Sequence, residues 1–226
     1  MNILLNKIKY FYDNDFSLEI DVEIPRNKLT MIVGKNGSGK STLLKLLTGV
    51  LNPKSGEIHI DHSKIGYIFQ NPDDQIIQLT IEKELAFNLE NIAMPIKNIE
   101  KKVNQFLTEY DFVDRGKQSP NELSGGEKQR LALASTLISE PEILIFDEPT
   151  GFLDFKHKEK LYKMTEMLKQ SGKTIVWVTH ELDELFFADS ILELDKGKIS
   201  FFGPQKEYLQ HLQNNPIVME NYLECI

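Results

Sequence analysis

Residues 16–24, FSLEIDVEI, alternate with a period of two. Leu18, Ile20, Val22 and Ile24 fall on one face, and Glu19, Asp21 and Glu23 on the other. That pattern predicts a strand with one buried and one solvated face, and the acidic stripe reads as the solvated face rather than a cation site. Residues 3–12 read as its antiparallel partner. Pro25-Arg26-Asn27 makes a turn into a compact apolar strand, Leu29–Val33. A glycine-rich loop and a helix bearing Leu43, Leu44, Leu46 and Leu47 come next, then short strands at Glu57–Ile60 and Ile65–Phe69.

Residues 71–80 read as a polar loop, after which the period becomes helical. Ile81, Leu85, Leu89 and Ile92 form one apolar stripe, Pro95 breaks it, and Ile99, Val103, Phe106, Leu107 and Tyr110 form a second. These two helices interrupt an α/β pattern, so roughly 71–122 is expected to be an inserted helical lobe. From 126 the order is helix, strand 143–147, helix 156–170, strand 174–178, helix 181–187, and a hairpin over 190–202 turning at Asp195-Lys196-Gly197-Lys198. Apolar strands alternating with helices predict a mainly parallel sheet covered on both faces.

The composition narrows the function classes. The 226 residues are 41% hydrophobic and 27% charged, which is ordinary for one globular domain. The net charge of −8 disfavours non-specific nucleic-acid binding. Cys225 is the single cysteine, so no disulfide framework or cysteine metal site is expected within the chain, which fits a reducing compartment such as the cytoplasm. No leader pattern or apolar run of about 20 residues is visible, so a membrane role is expected to come from docking on a partner.

Gly34-Lys35-Asn36-Gly37-Ser38-Gly39-Lys40-Ser41 matches G-x-x-x-x-G-K-[ST] between a strand and a helix. Such a loop wraps phosphate with successive backbone N–H groups, and the following helix directs its positive N-terminus at the anion. Lys40 is expected to reach the β- and γ-phosphates and Ser41 to ligate Mg²⁺, with Thr42 continuing the nucleotide-binding segment. Ile143-Leu144-Ile145-Phe146 ends in Asp147-Glu148. A buried strand delivers such carboxylates to the sheet edge where α/β folds bind ligands. Successive side chains point oppositely, so Asp147 can serve Mg²⁺ while Glu148 stands beside an attacking water. Leu123-Ser124-Gly125-Gly126-Glu127 precedes Lys128-Gln129-Arg130. Ser124 and Glu127 have capping-box spacing, and the two glycines beside the serine at a helix N-terminus offer a second anion site.

With LSGGE and KQR in place, the chain resembles the ATP-binding cassette (ABC) ATPases over nearly its whole length. The resemblance implies an α/β P-loop NTPase fold: a mainly parallel core sheet, an antiparallel β subdomain and a helical subdomain at about 71–122, within one domain spanning 1–226. It implies that Tyr12 stacks on adenine, that Gln70 begins a loop sensing Mg²⁺ and water, that Asp154 is the D-loop aspartate, and that His180 is the switch histidine contacting the γ-phosphate. It further implies that two subunits face head to tail, so that Ser124, Gly125, Gly126 and Glu127 of one meet the ATP held by the other. Phe152 and Phe155 depart from the family's usual residues around Asp154. His59, His62, His157 and His211 match no motif and are read as surface histidines.

Phe69-Gln70-Asn71-Pro72-Asp73-Asp74-Gln75-Ile76 and Glu84-Leu85-Ala86-Phe87 are similar to the ATPase subunits of energy-coupling factor (ECF) transporters, which import vitamins and cobalt or nickel ions. Members of that group often continue with a longer C-terminal extension than the few residues after Leu212 here. This resemblance implies a second ATPase subunit, a transmembrane coupling protein and a substrate-binding membrane protein as partners, on the cytoplasmic face of the membrane. Ile76, Ile77 and Leu79 in the loop after Gln70 are then either part of a groove for that coupling protein or buried against the helical lobe. The alternative is a non-transport ABC ATPase acting on nucleic acid or ribosomes. The insertion is short for chromosome-type members, and translation-type members carry two cassettes. A P-loop GTPase is disfavoured by the lack of a suitably placed N-K-x-D motif.

Overall fold

The computed structural model describes residues 2–12, 16–151 and 153–214, so Phe152 and Cys225 lie outside the described residues. The period-two segment forms strand β2 (Ser17–Ile24), paired antiparallel with β1 (Ile3–Phe11). Its four apolar side chains are buried and its acids exposed, as alternation dictates. Strand β3 (Leu29–Val33) leads into helix α1 (Lys40–Leu47), and β4 (Ser55–His59) and β5 (Ile65–Ile68) follow. Helices α2 (Pro72–Gln75), α3 (Ile81–Asn91), α4 (Ile96–Glu109) and α5 (Gly125–Leu137) precede β6 (Ile143–Asp147). The chain closes with α6 (Phe155–Gln170), β7 (Thr174–Val178), β8 (Ser190–Asp195), β9 (Lys198–Pro204) and α7 (Gln205–Asn214).

The described strands make one sheet in the order β4-β1-β2-β9-β8-β3-β7-β6-β5. The run β8-β3-β7-β6-β5 is parallel throughout, and the β4-β1-β2 portion is antiparallel. The two portions meet through β2 and β9 at a single backbone pair, Glu19 with Lys198. One such pair contributes about 1 kcal/mol net. A fully buried Leu or Ile contributes about 1.5–3 kcal/mol. The shared apolar cluster of Ile3, Leu18 and Ile20 with Leu43, Ile145 and Leu192 therefore holds them together, not the ladder.

On the other face, Trp177 and Phe146 stack at 5.0 Å beneath α5, α6 and α7. A third cluster gathers Ile81, Leu85 and Leu89 of α3 with Ile99 and Val103 of α4 and Leu131 and Ala134 of α5. Three local expectations need correcting. Residues 72–75 form a helical turn rather than loop, because the Asn71 side chain accepts the Asp73 N–H at 3.1 Å and Pro72 stands at the first helical position. Ile92 leaves the buried stripe because α3 ends at Asn91, and it is exposed. Residues 182–187 form 3-10 turns rather than an α-helix. None of the described helices is long and apolar enough to cross a membrane.

Candidate functional site

The sheet order brings the C-terminal ends of β3, β7, β6 and β5 side by side, which is where open parallel sheets place ligands. The glycine-rich loop leaves β3 here and enters α1 at Gly39. Gly39 has φ +110°, and a Cβ there would lie 2.7 Å from Leu18 Cδ1, so only glycine fits. The turn between β8 and β9 braces the loop, since Gly197 N–H donates to the Ser38 carbonyl at 3.0 Å. Lys40 is buried and its Nζ donates to the carbonyls of Gly34 at 2.6 Å and Lys35 at 3.2 Å, folding the ammonium over the loop. Ser38 Oγ is buried inside the cradle and has no hydrogen-bond partner among the described residues. A buried hydroxyl rarely stays unpaired, and a phosphate oxygen in the cradle would satisfy it. Ser41 and Thr42 continue the helix, Ser41 exposed and Thr42 buried.

Asp147 ends β6, and its Oδ2 accepts the Tyr67 hydroxyl at 2.7 Å. Burial pushes the Asp147 carboxyl up from its ordinary value, against the opposing pull of Tyr67 and the nearby Lys40. The same burial raises the Tyr67 phenol, helped by the Asp147 charge. Among the described residues no three His, Cys, Asp or Glu side chains are grouped to hold a metal alone. A Mg²⁺ shared with phosphate oxygens needs only one or two carboxylates, so Asp147 with the Ser41 hydroxyl and the Gln70 amide oxygen fits that chemistry.

Glu148 follows with φ +46°, unusual for a residue carrying a Cβ and costing about 1–3 kcal/mol. Its N–H donates to the Val178 carbonyl at 3.0 Å, and its carbonyl accepts Gly151 N–H at 3.2 Å. Gln70 Nε2 donates to Glu148 Oε2 at 3.0 Å, and His180 Nδ1 lies 3.2 Å from the same oxygen. Three chain-distant candidates thus meet at one carboxylate. Tyr12 stands half-exposed at the end of β1, edge-on to Tyr10 at 5.0 Å and 6.4 Å from the Phe16 ring, whose tip faces Gly39.

Ser124, Gly125, Gly126, Glu127 and Asp154 form a second cluster. Ser124 caps α5 in a reciprocal capping box with Glu127. Ser124 N–H donates to Glu127 Oε2 at 2.9 Å, and Arg115 Nη1 to Glu127 Oε1 at 2.7 Å. Arg115 first, then the Ser124 groups, hold the Glu127 carboxyl down at about 2. Asp154 caps α6, accepting both the N–H of His157 at 3.0 Å and its ring Nδ1 at 2.8 Å. A Cβ on Gly126 would lie 2.7 Å from His157 Nε2, so this histidine packs against Gly126. His157 lies at the surface as expected, and its place three positions after a capping aspartate gives it a partner there. His211 is half-buried, stacked 5.7 Å from Phe201. Phe155 is 79% exposed beside Asp154.

The loop after Gln70 is pinned by Glu84, a buried carboxylate that accepts the N–H groups of Ile77 at 3.0 Å and Gln78 at 2.9 Å. Burial raises the Glu84 carboxyl, offset in part by those two bonds. Ile76 packs on the α3–α4–α5 cluster, whereas Ile77 is 62% and Leu79 78% exposed. For those two side chains, burial against the helices is thereby excluded. A crevice of about 270 Å³ is lined by Ile77 with Tyr67, Phe69, Phe87 and Asn88.

The family model described as ABC transporter matches residues 18–151. An energy-coupling factor transporter ATP-binding protein, EcfA1 of Thermotoga maritima, is 39% identical over 220 residues, covering 93% of this chain and 85% of that one. EcfA1 of Mycoplasma mobile is 40% identical, covering 91% and 80%. Among solved structures, cbiO1 from Clostridium perfringens, part of the ABC transporter complex cbiONQ, superposes with TM-score 0.80 at 28% identity, covering 99% and 98% of the two chains. The ADP form of MJ1267, an ATP-binding cassette of an ABC transporter, superposes with TM-score 0.82 at 22% identity and speaks for the fold alone.

Proposed function

The chain belongs to the ABC transporter family as an ATP-hydrolysing, ATP-binding subunit, and from that premise we propose that it powers an ECF-type importer of a vitamin or transition-metal ion. The observation that carries the reading is the meeting of Gln70, Glu148 and His180 at the strand ends beside the phosphate loop.

The loop N–H groups from Gly34 to Ser41 and the Lys40 ammonium hold the β- and γ-phosphates of ATP and stabilise charge on the transferring phosphoryl group. Tyr12 supports the adenine. Ser41, Asp147 and Gln70 would hold a Mg²⁺, which would supply neutralisation of phosphate charge. Glu148 accepts the proton of the attacking water, and Gln70 and His180 keep its carboxylate aimed. His180 also faces the γ-phosphate. Ser124, Gly125, Gly126 and Glu127, with Asp154, close over the ATP of a second ATPase subunit, so that each nucleotide is sandwiched between two chains. Exposed Phe155 belongs to that subunit contact.

Exposed Ile77 and Leu79 with the neighbouring crevice receive a transmembrane coupling protein, which works with a substrate-binding membrane protein at the cytoplasmic face. Closure of the ATPase pair would move that partner. The net charge of −8 runs against a nucleic-acid partner. The test is to express the full chain in its native membrane background and measure ATP hydrolysis by the purified assembly. Co-purification with integral membrane proteins and stimulation by them supports the reading. Stimulation by DNA or ribosomes, with no membrane partner, contradicts it.

A further inference from the structure

Glu184 lies in the 3-10 segment Leu182–Phe187 with its side chain fully buried, and no Lys, Arg or His pairs with it among the described residues. A carboxylate in that position is costly unless both oxygens are hydrogen-bonded. Three neutral donors answer it. Thr150 Oγ1 donates to Oε1 at 2.6 Å, Tyr162 O–H to Oε1 at 3.0 Å, and Trp177 Nε1–H to Oε2 at 3.0 Å. Such charge-assisted bonds are short and directional, so they fix their partners as well as hold them.

Each partner sits on a different arm of the site. Thr150 follows Glu148 by two residues, and its carbonyl accepts Leu153 N–H at 3.0 Å on the way to Asp154. Trp177 lies in β7 just before His180 and stacks on Phe146, which precedes Asp147. Tyr162 belongs to α6, the helix that Asp154 caps. Glu148 itself has φ +46°, a conformation that persists only where the surroundings impose it.

We propose that Glu184 is a positioning residue for ATP hydrolysis: through Thr150 and Trp177 it locks the segment after Glu148 to β7, the strand that leads to His180. Its side-chain hydrogen bonds go to Thr150, Tyr162 and Trp177 and not to the phosphate loop, so it is expected to govern turnover and not ATP affinity. This inference rests on Glu148 being the base.

The test compares Thr150→Val, Thr150→Ser and Glu184→Gln in the full-length chain, with Glu148→Gln as reference. Thr150→Val keeps the shape and removes one donor. It is expected to lower kcat on the order of tenfold with KM for ATP unchanged, and Thr150→Ser, which restores the hydroxyl, to recover most of the rate. Glu184→Gln is expected to lower kcat at least as far at unchanged KM. If Glu184→Gln does not fold, Thr150→Val decides alone. A Thr150→Val enzyme with parental kcat, or one that changes KM instead, overturns the proposal, as does failure of both variants to fold. If Glu148→Gln retains turnover, the base assignment fails; if it is inactive while Thr150→Val is normal, only the role of Glu184 fails.

Discussion

Gln70 Nε2 donates to Glu148 Oε2 at 3.0 Å, linking the end of β5 to the end of β6 across 78 positions of sequence. The bond aims the carboxylate. Gln70→Ala is therefore expected to lower kcat on the order of 10–100-fold while ATP still binds, because the base loses one of its two restraints. Steady-state ATPase assays with a parallel nucleotide-binding titration check this. An unchanged kcat would remove Gln70 from the positioning of Glu148.

Glu127 supplies a pH-dependent restraint on the start of α5. Its folded carboxyl titrates at about 2 against an ordinary 4.5, held down first by Arg115. A depressed carboxyl contributes stability that is fully present above the ordinary value and is lost as pH falls towards about 2. The stability difference between parent and Glu127→Gln should thus be constant from pH 7 to about 5 and shrink below pH 4.5. Urea unfolding of both proteins at pH 7 and pH 3.5 measures it. A difference that is the same at both pH values would contradict the ion-pair account.

The signature cluster and the phosphate loop are separate in one chain and are proposed to meet in a pair. Lys40→Ala and Ser124→Arg should each abolish turnover alone. Mixed, they leave one composite site intact and one doubly broken, so partial ATPase activity is expected from two inactive proteins. Ser124→Arg chains that no longer bind nucleotide as monomers would place the serine in its own subunit's pocket instead.

Ile77 is 62% exposed on a loop that Glu84 anchors from below, so its side chain has little to do with folding. Ile77→Asp is expected to keep the melting temperature and ATP binding. It should fail to co-purify with the membrane component, because docking would desolvate an unpaired carboxylate. Assembly and uptake at parental levels would rule out this contact.

Periodicity made the sheet legible. Leu18 to Ile24 alternate because one face of β2 is buried, and β6 and β7 read as apolar runs because they lie in the middle of a parallel sheet. The turn at Pro72–Gln75 is too short for any period to show. Helix α7 gives a weak periodic signal because only Tyr208, Leu209 and Leu212 mark its inner face among polar neighbours. Candidates adjacent in sequence, such as Asp147 with Glu148, carry their own signal. Glu184 and His157 carry almost none. Glu184 takes its partners from the loop after β6, from α6 and from β7, and the contact of His157 with Gly126 comes from the packing of α6 on α5, which one-dimensional patterning does not record.

The base assignment of Glu148 is the hinge of the whole account, and one variant tests it. Glu148→Gln keeps size and hydrogen bonding but cannot take a proton from water. Turnover should fall by about 10²–10⁴-fold. ATP binding should persist, and with no hydrolysis to separate the subunits the protein should elute as a dimer in ATP. Parallel ATPase assays and gel filtration with ATP make the measurement. Hydrolysis at near the parental rate would contradict the account.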